Sequence, residues 1–148
     1  MEIAKIIVAT LAGTSMMTAF SYLVSKAFHK LFKEPVLLAI IMKKLGLNFS
    51  RQMKSVLAWL LHYFIGLLFV ISYEIAWVYF EVPQSWLVGL IFGCVSGIIG
   101  VLGWMLIFRI PGKPPKVRFT EYYLQLFFAH IVFAMTVLTV YKIVNLYS

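Results

Sequence analysis

The chain has 148 residues, 63% of them hydrophobic and 12% charged, and 13 lysines and arginines set against five carboxylates give a formal net charge of +8. With a mean hydropathy of +0.96, it has too little polar surface to coat a water-soluble globule, which excludes a soluble domain and leaves an integral membrane protein. The single cysteine, Cys94, supports neither an intramolecular disulfide nor a multi-cysteine metal site and reads as a small packing residue.

Four stretches reach the ~20 apolar residues needed to cross a ~30 Å hydrocarbon core: about 3–25, 55–80, 86–108 and 121–144. The expected fold is all-α, an integral membrane four-helix bundle forming one domain over residues 1–148, with no linker or low-complexity tract. Span one reads as a permanent helix rather than a signal peptide. Its "MEIAK" start is mixed in sign, and the basic cluster "SKAFHKLFK" follows the apolar run instead of preceding it. Thr10, Thr14 and Thr18, continued by Ser21 and Ser25, give span one a small hydroxyl face that satisfies itself on the preceding turn and lets a neighbour approach.

Between spans one and two, "EPVLLAIIMKKLG" has Pro35 in a first-turn position and stops at Gly46, too short to span. Leu38, Ile41, Met42 and Leu45 recur at helical spacing beside Lys43 and Lys44, predicting a short interfacial amphipathic helix over 35–46, with a re-entrant segment as the alternative. Span two carries His62 about seven residues, roughly 10 Å, from its basic-loop end, on a stripe with Ala58 and Gly66. Glu74 lies about six residues inside its other end, with Glu81 one heptad on. Span three, "GLIFGCVSGIIGVLG", holds five of the nine glycines. Each costs on the order of 1 kcal/mol against Ala in a helix, so an architecture must exist in which a missing side chain is useful. Gly89, Gly93 and Gly97 form overlapping G-x-x-x-G steps, continued by Ser96, Gly100 and Gly103, which predicts a central packing helix facing its own bundle or a second copy. "RIPGKPP" after it is a stiff basic turn. Span four carries His130 about nine residues, roughly 14 Å, from the same basic end as His62, on a stripe with Tyr123, Ala134 and Tyr141.

Charge sets the orientation. Lys26, Lys30, Lys33, Lys43, Lys44, Arg51 and Lys54 lie between spans one and two, and Arg109, Lys113, Lys116 and Arg118 between spans three and four, whereas "EVPQS" has no basic residue. The positive-inside rule then puts both basic loops in the cytoplasm and both termini outside. These cations are expected to contact anionic lipid headgroups; no nucleic-acid partner is expected. His29 among them is expected at the interface.

The strings "GTSMMTAF" and "AWLLHYFIGLLFVISY", with His62, Gly66 and Tyr73, and the Gly-rich third span resemble a group of small bacterial four-helix inner-membrane proteins that are domains of unknown function. The resemblance covers most of the spans but not the basic loop one or "RIPGKPPKVR". It implies a bacterial inner-membrane location and carries no chemistry.

Ionisable groups at membrane depth are the candidate functional residues. His62 and His130, on different helices at matching depth, suit a proton relay, hydrogen bonds across the bundle or the two axial ligands of a haem b. A zinc or dimetal site is disfavoured because no carboxylate is expected near that depth. Glu74, where it faces the bundle, suits proton coupling; its alternatives are a neutral glutamate hydrogen-bonded inside the bundle and one reaching the outer interface beside Trp77 and Trp86. There is no nucleophile with a base and an orienting carboxylate and no phosphate-cradling loop, so no enzyme is expected. Three functions stay open. One is an accessory or assembly subunit, in a homo-oligomer or larger complex, packing through span three. The others are a small proton-coupled transporter or channel using Glu74, His62 and His130, and a haem-bearing electron-transfer subunit.

Overall fold

The computed structural model describes residues 2–146. They form five helices: α1 (Glu2–Phe28), α2 (Glu34–Lys44), α3 (Arg51–Tyr79), α4 (Trp86–Arg109) and α5 (Phe119–Leu146). Helices α1, α3, α4 and α5 have 24 to 29 residues and so are roughly 36–44 Å long, and each is long and apolar enough to cross a membrane. Two serines start their helices by capping them: Ser50 accepts from Met53 N–H at 3.1 Å and Ser85 from Val88 N–H at 3.2 Å.

Helix α5, not the Gly-rich α4, is central. It packs along both α1 and α4 and reaches α3 through Phe69 on Phe133 (6.2 Å between ring centroids) and Trp77 on Tyr141 (4.6 Å). Its pairing with α1 is antiparallel over nearly the whole length: Lys5 lies over the Tyr141 ring, Gly13 faces Phe133 and Val137, and Gln125 bonds Ser21. The glycines of α4 face the same helix. A Cβ at Gly93 would come within 2.7 Å of the Ile131 Cα, one at Gly97 within 2.7 Å of the Phe127 ring and one at Gly89 within 2.7 Å of the Leu138 side chain. In lipid, where apolar side chains gain little by leaving their surroundings, such backbone approach supplies the contact. Gly103 differs from the expected packing position: a Cβ there would meet nothing within 4 Å. Ser96 bonds across to α3, its hydroxyl 2.5 Å from that of Tyr73.

Helices α3 and α4 do not pack closely along their length. Tyr73 and Trp77 stack on Phe92 at 4.8 and 5.7 Å and hold them together toward the end away from the basic loops, leaving a gap between them toward the other end.

The α1–α2 connection departs most from expectation. His29 adopts a left-handed backbone (φ 52°), Lys30 N–H donates to Ser25 O at 3.1 Å, and the Ser25 hydroxyl donates to the Lys30 carbonyl, a reversal of the kind that closes helix C-termini. The chain doubles back, so α2 begins beside Ser21, which is roughly 10 Å into α1 from Phe28. The buried stripe of α2 is therefore Glu34, Leu37, Leu38 and Ile41. Met42 is only half-buried and Leu45 lies beyond the helix, exposed. Helix α2 packs against α3, and the first turn of α2, with Glu34 and Pro35, is buried against the bundle.

Candidate functional site

Inside the bundle is a cavity of about 180 Å³ whose polar lining comes from Thr14 on α1, Glu34 on α2, His62 on α3 and His130 on α5, the rest of its wall being apolar. The two histidines are thus brought together. Contrary to the sequence expectation, a carboxyl joins them, supplied by the short helix of the basic loop. Glu74 does not take part: it is half-buried, outside the cavity, and 12 residues (roughly 18 Å) along α3 from His62.

Glu34 is 1% exposed. Its Oε1 accepts from the Ser21 hydroxyl at 2.5 Å, and Ser21 in turn accepts from Gln125 Nε2 at 2.6 Å. Its Oε2 is buried without a hydrogen-bond partner, as is Thr14 Oγ1. Burial, which penalises the charged form, pushes the Glu34 carboxyl up from 4.5 to about 7 against the opposing pull of Ser21 and Gln125.

Donor counting assigns both imidazole tautomers. His130 Nδ1 lies 2.8 Å from the Leu126 carbonyl oxygen, which can only accept, so Nδ1 carries the hydrogen and Nε2 keeps a lone pair. Gly100 makes room for this ring: a Cβ there would collide with it. His62 Nε2 lies 3.0 Å from Thr18 Oγ1. The one Thr18 hydroxyl hydrogen goes to the Thr14 carbonyl at 2.7 Å, so His62 Nε2 donates and its Nδ1 keeps the lone pair. Thr18 therefore back-bonds as expected of span one and serves His62 as well. Thr10 also bonds its preceding turn, through Ile6 O at 2.8 Å, while Ser21 and Ser25 are diverted to α2 and its connection.

The basic loops meet at one end. Lys30 pairs with Glu121, which Arg118 also bonds at 2.7 Å, and Lys33 lies 4.7 Å from the centroid of the Tyr22 ring. Lys26, Lys43, Lys44, Arg51, Arg109, Lys113, Lys116 and Arg118 are exposed at that end and Lys54 is half-buried. His29 is exposed at the turn it closes and Cys94 is half-buried.

The cavity can hold a proton and a small guest. It is smaller than the ~300 Å³ at which small-molecule sites begin, and one nitrogen of each imidazole is engaged, His62 Nε2 by Thr18 and His130 Nδ1 by the Leu126 carbonyl. Among the described residues, no three His, Cys, Asp or Glu side chains come close enough to hold a metal ion. No family model, curated protein or solved structure matches the chain.

Proposed function

We propose that the protein is a small proton-coupled membrane carrier that loads and unloads a proton at Glu34, beside His62 and His130, with its basic loops on the cytoplasmic side of a bacterial inner membrane. One observation carries this reading: a carboxyl and two imidazoles from three separate helices converge on one mostly apolar cavity, and the carboxyl has an oxygen without a partner. Polar groups at such depth are expensive, and an apolar filling would hold the helices as well or better. A carboxyl that titrates near neutrality can change state under physiological conditions. Among the three sequence expectations this is the transporter, with Glu34 in place of Glu74. The accessory-subunit reading gains no support from span three, because Gly89, Gly93 and Gly97 are covered by α5 of the same chain.

The test is a pH jump applied to proteoliposomes adsorbed on a solid-supported membrane. Protonation of a carrier displaces charge even without cargo, so the wild type should give a transient current above that of protein-free liposomes, and Glu34→Gln should lose it. A wild-type current equal to that of empty liposomes, or an unchanged current in Glu34→Gln, overturns the proposal.

A further inference from the structure

The free polar atoms of the cavity are nearly all acceptors. His62 Nδ1 and His130 Nε2 each keep a lone pair once their other nitrogen is spent, Thr14 Oγ1 has no partner, and Glu34 Oε2 has none. When Glu34 is neutral, its Oε2 and the rotatable Thr14 hydroxyl carry the hydrogens of the set; when it ionises, Oε2 becomes one more acceptor. A cluster of acceptors is satisfied by a ligand that only donates. Ammonium groups are such ligands, with three N–H donors and no acceptor. The walls set the remaining terms. Phe69, Trp104 and Phe133 present aromatic rings, which attract cations, while an apolar surround penalises any uncompensated charge. Only two fillings keep the cavity neutral: a protonated carboxyl, or a carboxylate paired with one cation. A small inorganic cation would want about six oxygen ligands, far more than the cavity supplies. An organic ammonium needs few, and its carbon skeleton gains from the apolar wall. For size, a 150 Å³ dry cavity holds one benzene, so about 180 Å³ suits a primary amine of benzylamine size. The loose seam between α3 and α4, where Gly103 faces empty space and Ile99 is 53% exposed, gives a way in from the lipid.

We propose that the cavity is a binding site for a small lipophilic primary amine in its ammonium form, held by the Glu34 carboxylate and the lone pairs of His62 and His130 in exchange for the Glu34 proton. The exchange balances: Glu34–COOH and R–NH₃⁺ give the ion pair and one released H⁺, with no change in the charge of the cavity. This names the cargo of the carrier proposed above and rests on that reading for its transport meaning. The titratable groups around the carboxyl are Tyr22 on α1, His62 on α3 and Tyr122 and His130 on α5; α4 contributes only Ile99, Gly100, Gly103, Trp104 and Ile107, none of which titrates.

The test is isothermal titration of the purified full-length protein in detergent with benzylamine, repeated in buffers of different ionisation enthalpy to count protons. With Glu34 at about 7, binding should release about half a proton at pH 7, about 0.9 at pH 6 and almost none at pH 8.5. Glu34→Gln should weaken binding roughly 30-fold or more, because the buried ammonium then has no counter-charge. Benzyl alcohol, the uncharged analogue, should bind far more weakly than benzylamine. Should Glu34→Gln fail to fold, Gly103→Leu offers a second route: it leaves the carboxyl in place, fills the cavity and should abolish benzylamine binding. Binding that survives either substitution, proton release that does not vary with pH, or equal affinity for benzyl alcohol overturns the amine site. A normal pH-jump current with no benzylamine binding overturns the cargo and spares the carrier, whereas Glu34-dependent benzylamine binding without that current supports the site and overturns transport.

Discussion

Replacing Gly93 by Ala adds one methyl to α4 and makes a sharp test of the helix packing. The new Cβ would lie 2.7 Å from the Ile131 Cα and 3.4 Å from the Ala134 Cβ. The first of these is backbone, which cannot swing aside as a side chain can, so α4 and α5 must separate. Overpacking of this kind costs about 1–3 kcal/mol, offset by the roughly 0.5–1 kcal/mol that Ala gains over Gly within a helix. The net expectation runs from about neutral to a loss of about 2.5 kcal/mol. Gly103→Ala is the internal control, since the same methyl on the same helix meets nothing within 4 Å and should leave only the propensity gain, about 0.5–1 kcal/mol of stabilisation. The propensity gain is common to both, so the two substitutions should differ by the overpacking cost alone, about 1–3 kcal/mol. Equilibrium unfolding in mixed micelles with increasing SDS, followed by circular dichroism, measures the difference. Equal effects of the two substitutions would refute the assignment of the glycine face to α5.

Three further outcomes are expected. Glu34 is neutral in both states below its unfolded value of 4.5, whereas between there and about 7 the unfolded chain ionises and the native one does not. The Glu34 contribution to native stability should therefore fall by about 3 kcal/mol as pH rises through that window and level off above it; because other groups titrate in the same range, the measurement is the difference in thermal unfolding between the wild type and Glu34→Gln, which should shift against the wild type by that amount from about pH 4.5 to 7. In a double-mutant cycle of Tyr73→Phe and Ser96→Ala, read from the same SDS titration, the hydroxyl pair at 2.5 Å should give a coupling of about 1 kcal/mol. Thr18→Val should leave the His62 Nε2 hydrogen without its acceptor, costing about 1–3 kcal/mol, with the loss of the hydrogen bond visible as a shift of the His62 nitrogen resonances by NMR.

The membrane helices were legible because hydropathy over twenty residues is a local property. The helices run past the expected spans mainly at the basic-loop ends, where Arg51 to Lys54 and Phe119 continue helical geometry beyond the apolar run. That His62 and His130 come to one cavity was also legible, since helix rise alone places them at similar depths. Which helix is central was not. Gly93 and Gly97 show that α4 is approached closely, but approach is mutual, and the partner is identified only by the Ile131 backbone and Phe127 lying against them.

Glu34 was hidden for a different reason. It stands in "LFKEPV" among Lys30, Lys33, Lys43 and Lys44, and a run of cations marks a segment as lying outside the hydrocarbon. Yet Glu34 stands one turn before Leu38, on the same helical face as Leu38, Ile41 and Leu45, so the stripe itself points it inward. What the sequence does not show is where α2 starts along α1, and the left-handed turn at His29 sets that by folding α2 back beside Ser21. One signal did exist in the sequence. Ser21 on α1 and Gln125 on α5 are polar residues on helix faces that are otherwise apolar or back-bonded to their own turn, and each lies about as far from the basic-loop end as the other. Two such groups at one height mark a place where polar side chains meet inside the bundle. In this chain it is the carboxyl that the Ser21 hydroxyl meets, leaving Oε2 as the atom on which a proton or a cation can be held.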